Sequence, residues 1–361
     1  MKFPRNDVTL VKEINTDMIK SALKFLGEGT KAQISEATGI SVATCGKILN
    51  ELSASGEVVE TSLEQADYGR PAKCYRYNAL FSLVGCVYLH TENNQIRFSS
   101  VVADLVGSIL EESVDDVVGV DYDLIRSRIS SLRQKYPAIS VVSVGISGYM
   151  TDGIIDLCNF SRLNGLSLGK LLRDDFPEIT IMVENDANAA VYGFYNTECK
   201  AKDTTVAFLF SPDKMINGAN GAERDSALDK DAAPVFNLGA GFVSGGRILR
   251  GFSGFAGEVM YLPVNGVAYD ADRSVMSYVN MLADIVLSIT SIINPEILAV
   301  SGGFITESIV EAVEERCAHL IPARHMPKIV LRKNIHNDYV NGLVAIALET
   351  LTCNIRLVYK Y

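Results

Sequence analysis

A chain of 361 residues, 48% hydrophobic and 21% charged, has the composition of a folded globular protein and is too long for one ordinary core, so two or three domains are expected. The net charge of −10 excludes a uniformly basic nucleic-acid coat, but residues 1–80 hold ten basic and ten acidic side chains, which leaves a local DNA contact open there. Seven scattered cysteines without a C-x-x-C pair read as free buried thiols, not as a disulfide framework or a zinc set.

The opening MKFPRNDVTL has no apolar run of the signal-peptide kind, and the most apolar later stretch, Tyr278 to Val300, is interrupted by Asn280, Asp284, Asn294 and Pro295. A cytoplasmic protein without a membrane span is therefore expected. From Asp17 to Leu26, apolar residues at Met18, Ile19, Ala22, Leu23, Phe25 and Leu26 repeat at helical spacing and end at Gly27. Thr30 opens a short second helix that stops at Gly39, and Ser41 opens a third that runs through Val42, Ile48, Leu49 and Leu52 to Gly56. Length and order are those of a helix-turn-helix. The β-rich segments EVVET and KCYRYN follow, around a turn holding Gly69, Arg70 and Pro71, and such a hairpin is a wing.

In a winged helix the third helix enters the major groove, so Ser41, Ala43, Thr44 and Lys47 are the expected DNA-facing residues. Arg70 and Lys73 at the wing are placed to reach phosphates or a minor groove. The weakly basic surface also leaves open a module that contacts protein instead.

After Asn78 the texture becomes α/β. LVGCVYLH reads as a strand, IRFSSVVADLVGSIL as strand, turn and strand, Asp121 to Lys135 as a helix, and SVVSVGISGYMTDGIID as a buried strand running into a glycine-bearing loop. Asn159 follows in a loop, then a helix. The stretch that organises the body is ITIMVENDANAAVYG, Ile179 to Gly193. Ile179 to Val183 form a buried strand, Ala187 onward opens a helix, and Glu184, Asn185, Asp186 and Asn188 fall between. Polar side chains at the carboxyl end of a buried strand sit where open α/β sheets place a ligand crevice. One carboxylate there can act as a base toward a hydroxyl and the amides can fix polyol oxygens, while simple helix capping explains the same residues equally well. A second α/β lobe follows, with TTVAFLF, FVSGGRIL, helices from Ser274 to Ile293, and ILAVSGG. The expected division is 1–78, 79–195 completed by 340–361, and 196–339.

ENDANAA (Glu184–Ala190), GRILRGFSGFAGEVMYLPV (Gly246–Val264) and NPEILAVSGG (Asn294–Gly303), in that order, resemble the ROK family of repressors and sugar kinases. The winged helix with GRPA at Gly69–Ala72 is similar to its transcriptional regulators. The resemblance spans essentially the whole chain. It implies an N-terminal winged helix-turn-helix followed by a two-lobed, actin-like, hexokinase-type body of ribonuclease H-like fold. It also implies that Asp186 matches the kinase base, that Asn185 and Glu258 contact sugar hydroxyls, and that Asn159 lies in a sugar-touching loop.

The departures from the family pattern matter as much. Val87 stands where family kinases carry the aspartate that serves phosphate and magnesium, with Leu89 and His90 replacing glycines. The second phosphate loop reads Val235, Phe236, Asn237 after an acidic insertion at 211–233. Phosphoryl transfer depends on charge neutralisation and close backbone approach, so no kinase activity, no nucleotide cofactor and no catalytic residue are expected. Gly239 and Gly241 read as glycines of strand packing. Tyr261 replaces the family histidine after the AGE motif and the cysteine cluster is missing, so no metal is expected. His90 reads as a surface or partner-contact residue, and His319, His325 and His336 receive no role.

The expected protein is thus a regulator, a repressor in this reading, that binds double-stranded operator DNA, takes a sugar-type effector in its cleft and forms a homodimer or tetramer. Two alternatives remain: a body that serves only as a dimerisation scaffold, and a sugar kinase carrying a winged helix.

Overall fold

The computed structural model describes residues 8–64, 72–92, 95–199, 203–210, 238–262, 275–303 and 305–351. Helix α1, Val8–Leu26, begins nine residues before the predicted start. Its first turns leave Leu10 and Val11 exposed, so the apolar spacing that marks a buried face begins only near Ile19. Helix α2, Lys31–Thr38, starts at a capping box in which the Thr30 hydroxyl accepts from the Gln33 N–H while the Gln33 side chain accepts from the Thr30 N–H. Gly39 then ends it at φ 71°, a left-handed backbone that glycine adopts without strain. Ser41 caps α3, Val42–Ser55. The three helices bury Ile19, Leu23, Ile34, Cys45, Ile48 and Leu49 together. Strands β1 (Gly29–Thr30), β2 (Val58–Glu64) and β3 (Ala72–Tyr77) form the wing sheet in the order β1-β3-β2.

The first body lobe is a sheet of β4 (Leu83–Glu92), β5 (Gln95–Asp104), β6 (Ile109–Val117), β7 (Ile139–Ile146) and β10 (Thr180–Asn185), ordered β10-β7-β4-β5-β6. The predicted glycine loop after β7 is instead a hairpin, β8 (Gly148–Thr151) with β9 (Ile154–Cys158), because GYMT and IIDLC pair antiparallel. Helices α4 (Tyr122–Lys135) and α5 (Leu168–Asp175) cover one face of the sheet. Helix α6, Asp186–Glu198, leads into the second lobe. That lobe orders β13-β12-β11-β14-β15, from β11 (Val206–Phe210), β12 (Gly239–Ser244), β13 (Arg247–Ile248), β14 (Ile297–Ser301) and β15 (Lys328–Leu331). It carries α7 (Val275–Ile292) and α8 (Glu307–Ala318). By length and composition α7 could cross a membrane, but Leu282, Ile285 and Ile289 bury it in the second-lobe core.

The closing helix α9, His336–Glu349, crosses α6 between the two sheets. Strand β4 shows why both faces of the first sheet are apolar: Val84, Cys86 and Tyr88 pack toward α6 and α9, whereas Leu83, Val87 and Leu89 pack toward α4 and α5. The layer holding α6 and α9 also receives Val206, Phe208 and Ala299 from the second sheet. Two glycines set its thickness. A Cβ on Gly193 would lie 1.8 Å from the Asp338 carbonyl oxygen, and one on Gly342 would lie 1.7 Å from that of Ala189, so neither helix tolerates a side chain at the crossing.

At its far end α9 places Leu348 against the winged-helix core, beside Leu105 from the β5–β6 turn. The Asn78 amide also donates to the Gly56 carbonyl at 2.9 Å.

Candidate functional site

Strand β10 runs parallel to β7 with Asn185 opposite Ile146, so the polar residues after each strand emerge at the same level. Asn185 caps α6: its Oδ1 accepts from the Asn188 N–H at 3.0 Å, and its Nδ2 donates to the Gly148 carbonyl at 2.6 Å. The capping alternative is therefore realised at Asn185, while the amide retains one hydrogen and one lone pair for a ligand. Asp186 follows. Its Oδ2 accepts from the Ser147 hydroxyl at 2.7 Å and its Oδ1 from the Ala187 N–H at 2.8 Å. Burial pushes the Asp186 carboxyl up to about 6, against the Ser147 bond that favours the anion.

The second lobe contributes Glu258 through a turn that requires glycine. Gly257 has φ 99° and a Cβ there would meet the Ala240 carbonyl oxygen at 1.8 Å. Glu258 precedes the short turn Val259–Tyr261 but makes no side-chain capping bond to it. Its carboxyl is raised to about 7, first by burial and then by the Asp186 charge. Asn159, Asn185, Asp186 and Glu258 all line one cleft of 540 Å³ between the lobes. Two half-buried carboxyls, both pushed up from the ordinary carboxylate range, form with two amides a surface suited to polyol hydroxyls, which accept and donate in turn.

Glu184, named as polar but given no role from sequence, ties the lobes beneath this site. Its Oε2 accepts from Arg250 Nε at 2.9 Å and Nη2 at 2.5 Å, and its Oε1 accepts from the Asn188 side-chain amide at 3.0 Å. Glu184 is 5% exposed, so the Arg250 fork supplies the countercharge that a buried carboxylate needs. At the mouth, Tyr149 of β8 meets Phe255 edge-on at 5.2 Å and its hydroxyl lies 3.2 Å from that of Tyr261.

The opposite half of the cleft is walled by β4 and β5. Strands β4 and β5 pair continuously out to Glu92 and Gln95, and Val87 and Leu89 are buried. β4 also pairs with β7, as far as Tyr88 opposite Gly145. The stretch Val235 to Asn237 and the insertion 211–233 lie outside the described residues. Gly239 and Gly241, read as glycines of close strand packing, lie on β12 facing α6. Gly241 admits helix α6 against its strand, since a Cβ there would sit 2.3 Å from the Ala187 carbonyl oxygen, whereas a Cβ on Gly239 would make only an ordinary contact with Ala187 Cβ at 3.6 Å.

From sequence, His90 reads as a surface or partner-contact residue and His336 is given no role. His90 and His336 line the cleft with Tyr88, Arg97, Lys333 and Tyr339. Tyr88 stacks on His90 at 5.7 Å, and His336 Nε2 lies 2.8 Å from Glu112 Oε1. His319 is exposed, whereas Cys317 is buried.

On the winged helix, Ala43 and Lys47 are exposed on α3. Ser41 is exposed as well, but its hydroxyl accepts from the Thr44 N–H at 3.2 Å and lies 2.9 Å from the Thr44 hydroxyl, so both side chains already have local partners. Lys73 pairs with Glu60 at 2.6 Å and would exchange that partner on reaching a phosphate. Arg70 lies outside the described residues.

No family model matches the chain. Over 270 residues it is 23% identical to a protein named xylose repressor from Caldicellulosiruptor bescii, covering 71% of this chain and 60% of that one. A protein of the same name from Bacillus spizizenii is 22% identical over 274 residues, covering 72% and 62%. The chain thus spans about three-fifths of the length of the curated relatives it matches.

Among solved structures, a ROK family transcriptional regulator described as a homolog of the E. coli MLC protein matches with a TM-score of 0.62 at 16% identity, covering 94% of this chain and 99% of that one. A ROK hexokinase from Thermus thermophilus matches with a TM-score of 0.57 at 16% identity, covering 74% and 99%. The regulator extends over the winged helix, and the hexokinase matches a share the size of the body. The fold is therefore a winged helix joined to an actin-like, two-lobed ROK body. The likeness is one of fold, and the three motifs resemble those of the ROK family in the same order.

Proposed function

We propose that this chain is a sugar-responsive transcriptional repressor that binds operator DNA through its winged helix and has no kinase activity. The observation that carries the reading is the course of α9. Its first turn puts His336 and Tyr339 in the cleft wall, and Leu348 near its last turn packs against the winged-helix core. A helix of this length extends roughly 20 Å, so it gives a rigid path from effector to DNA-binding module. Helix α6, which begins at Asp186, crosses it through Gly193 and Gly342. An effector held by Asn159, Asn185, Asp186 and Glu258 that prefers one lobe angle thereby biases where the winged helices sit.

Ser41, Ala43, Thr44 and Lys47 form the proposed major-groove surface, with Lys73 and Arg70 at the wing. Two copies acting on two half-sites, as a homodimer or a pair of dimers, follow the usual geometry of such modules. Relatives named xylose repressor make a pentose the first candidate effector, and a cytoplasmic setting agrees with operator binding. The continuous β4–β5 ladder, with Val87 and Leu89 buried, supports the loss of nucleotide chemistry.

A thermal-shift panel of neutral monosaccharides, with ATP and magnesium as a separate arm, tests the reading. A ligand that binds only the native state at a hundredfold its Kd adds ~2.7 kcal/mol, so a sugar-specific rise in Tm is expected. A rise with ATP and sugar-dependent ATP consumption would replace the regulator with a kinase.

A further inference from the structure

Beside Asp186 and Glu258 the mouth of the cleft is bounded by one piece of each lobe, and each piece is anchored in the candidate sugar-facing residues. On the first lobe the hairpin β8–β9 starts where the Ser147 hydroxyl donates to Asp186 and the Gly148 carbonyl accepts from Asn185. It returns at Asn159, whose N–H donates to the Ser147 carbonyl at 3.2 Å. Tyr149 thus stands next to a residue that holds Asn185. On the second lobe the Gly257 carbonyl accepts from the Ala240 N–H of β12 at 2.8 Å, and the Tyr261 N–H donates to the Glu258 carbonyl at 3.1 Å. Glu258 and Tyr261 therefore move as one turn fixed to the second sheet.

The two pieces meet through three aromatic rings. Tyr149 packs edge-on against Phe255 at 5.2 Å and Tyr261 at 6.4 Å, Phe255 lies 5.2 Å from Tyr261, and the two phenol oxygens are 3.2 Å apart. The backbones also come close, since a Cβ on Gly254 would fall 2.7 Å from the Met150 carbonyl oxygen. Tyr149 lines the cleft, whereas Phe255 and Tyr261 are 40% and 53% exposed and are not among its lining residues. The cluster thus has one side on the site and the other on solvent. Such half-exposed ring and phenol contacts are individually weak. The Arg250 fork on buried Glu184 is not, so the lobes are joined firmly at the floor of the cleft and lightly at its mouth.

We propose that Tyr149, Phe255 and Tyr261 form an aromatic gate between the lobes, through which a neutral sugar enters and leaves the cleft. The proposal rests on the cleft being a sugar site and concerns exchange at that site. Tyr261 stands where the family motif has histidine, but its hydroxyl meets Tyr149 and it lies outside the cleft wall. It therefore holds the gate and not the ring. A gate kept shut by weak contacts slows entry and exit together, because both use the same opening. Loosening it speeds both and leaves the equilibrium nearly unchanged. Loss of a direct contact to the sugar instead raises the dissociation rate and Kd together and leaves association alone.

The chain has no tryptophan, so Phe255→Trp places a single reporter ring in the gate. Stopped-flow fluorescence of the full chain with xylose and with glucose gives both rate constants, and calorimetry on the parent chain gives the Kd without the reporter. Tyr261→Phe, which keeps the ring and removes the hydroxyl pair, should raise association and dissociation rates about threefold or more while Kd stays within about twofold. Tyr261→Ala, which also removes the ring contacts, should raise both rates about tenfold. Unchanged rates would mean that exchange takes another route, and the gate is then refuted while the sugar site stands. A rise in dissociation rate and Kd with association unchanged would make Tyr261 a sugar contact and refute the gate as well. If neither sugar binds any form of the chain, the sugar site itself is refuted, and the gate with it.

Discussion

Replacing Glu258 by glutamine should make the free protein more stable at pH 8, by an amount the site geometry sets. In the folded chain the Glu258 carboxyl is raised to about 7 from an ordinary value of 4.5, by burial and then by the Asp186 charge. The native state therefore binds a proton more tightly than the unfolded chain, and stability falls as pH rises from about 4.5 to about 7. Above that window the whole cost of the buried anion is present. Each pH unit is worth ~1.4 kcal/mol, which gives about 3 kcal/mol as an upper value, and the open cleft screens this to about 1–2 kcal/mol. Glu258 makes no capping bond that glutamine would lose.

Urea unfolding at pH 8.0 and pH 4.5 measures the effect. Glu258→Gln should raise stability by about 1–2 kcal/mol at the higher pH and by much less at the lower. A variant no more stable than the parent at pH 8, or a gain equal at both pH values, would refute the claim that this carboxylate is held at an energetic cost. Such a cost, kept in the free protein, is the mark of a group placed for a ligand rather than for the fold.

Three further outcomes follow from the helices. Gly342→Ala should destabilise by about 1–3 kcal/mol because its Cβ meets the Ala189 carbonyl at 1.7 Å, while Gly46→Ala on α3, which meets only the mobile Lys31 side chain at 3.4 Å, should gain up to ~1 kcal/mol from helix propensity; thermal unfolding of both variants checks the contrast. Leu348→Ala should leave sugar affinity within about twofold yet shrink the effect of sugar on DNA binding, since it loosens the contact between α9 and the winged helix; titrations of sugar and DNA separate the two quantities. Lys47→Ala should weaken DNA binding and reduce the slope of log K against log salt by about one, and an unchanged slope would remove Lys47 from the phosphate contacts.

What the sequence reveals depends on how local the cause is. Caps and glycine stops mark α2 and α3 within a few residues of Thr30, Gly39, Ser41 and Gly56, so the helix-turn-helix is legible from sequence alone. Asn185, Asp186 and Glu258 can be found because each sits in a short motif at the end of a strand or turn. The wall that β4 and α9 give the cleft cannot. Tyr88 and His336 meet across 248 positions of sequence, and no local pattern links β4 to α9. Glu184 and Arg250, 66 apart, are hidden for the same reason. The crossing glycines Gly193 and Gly342 look like helix defects until the opposing carbonyls are in view.

The decisive property of the molecule is whether the cleft controls DNA binding. The direct measurement is fluorescence anisotropy with a DNA duplex selected from a random pool by the full-length protein, with and without a sugar that raises its Tm. Sugar should weaken DNA affinity at least fivefold, within the usual range of allosteric coupling, and Asp186→Asn should abolish that change while the sugar-free protein still binds the duplex. A sugar that binds the cleft and leaves DNA affinity unchanged would contradict the account.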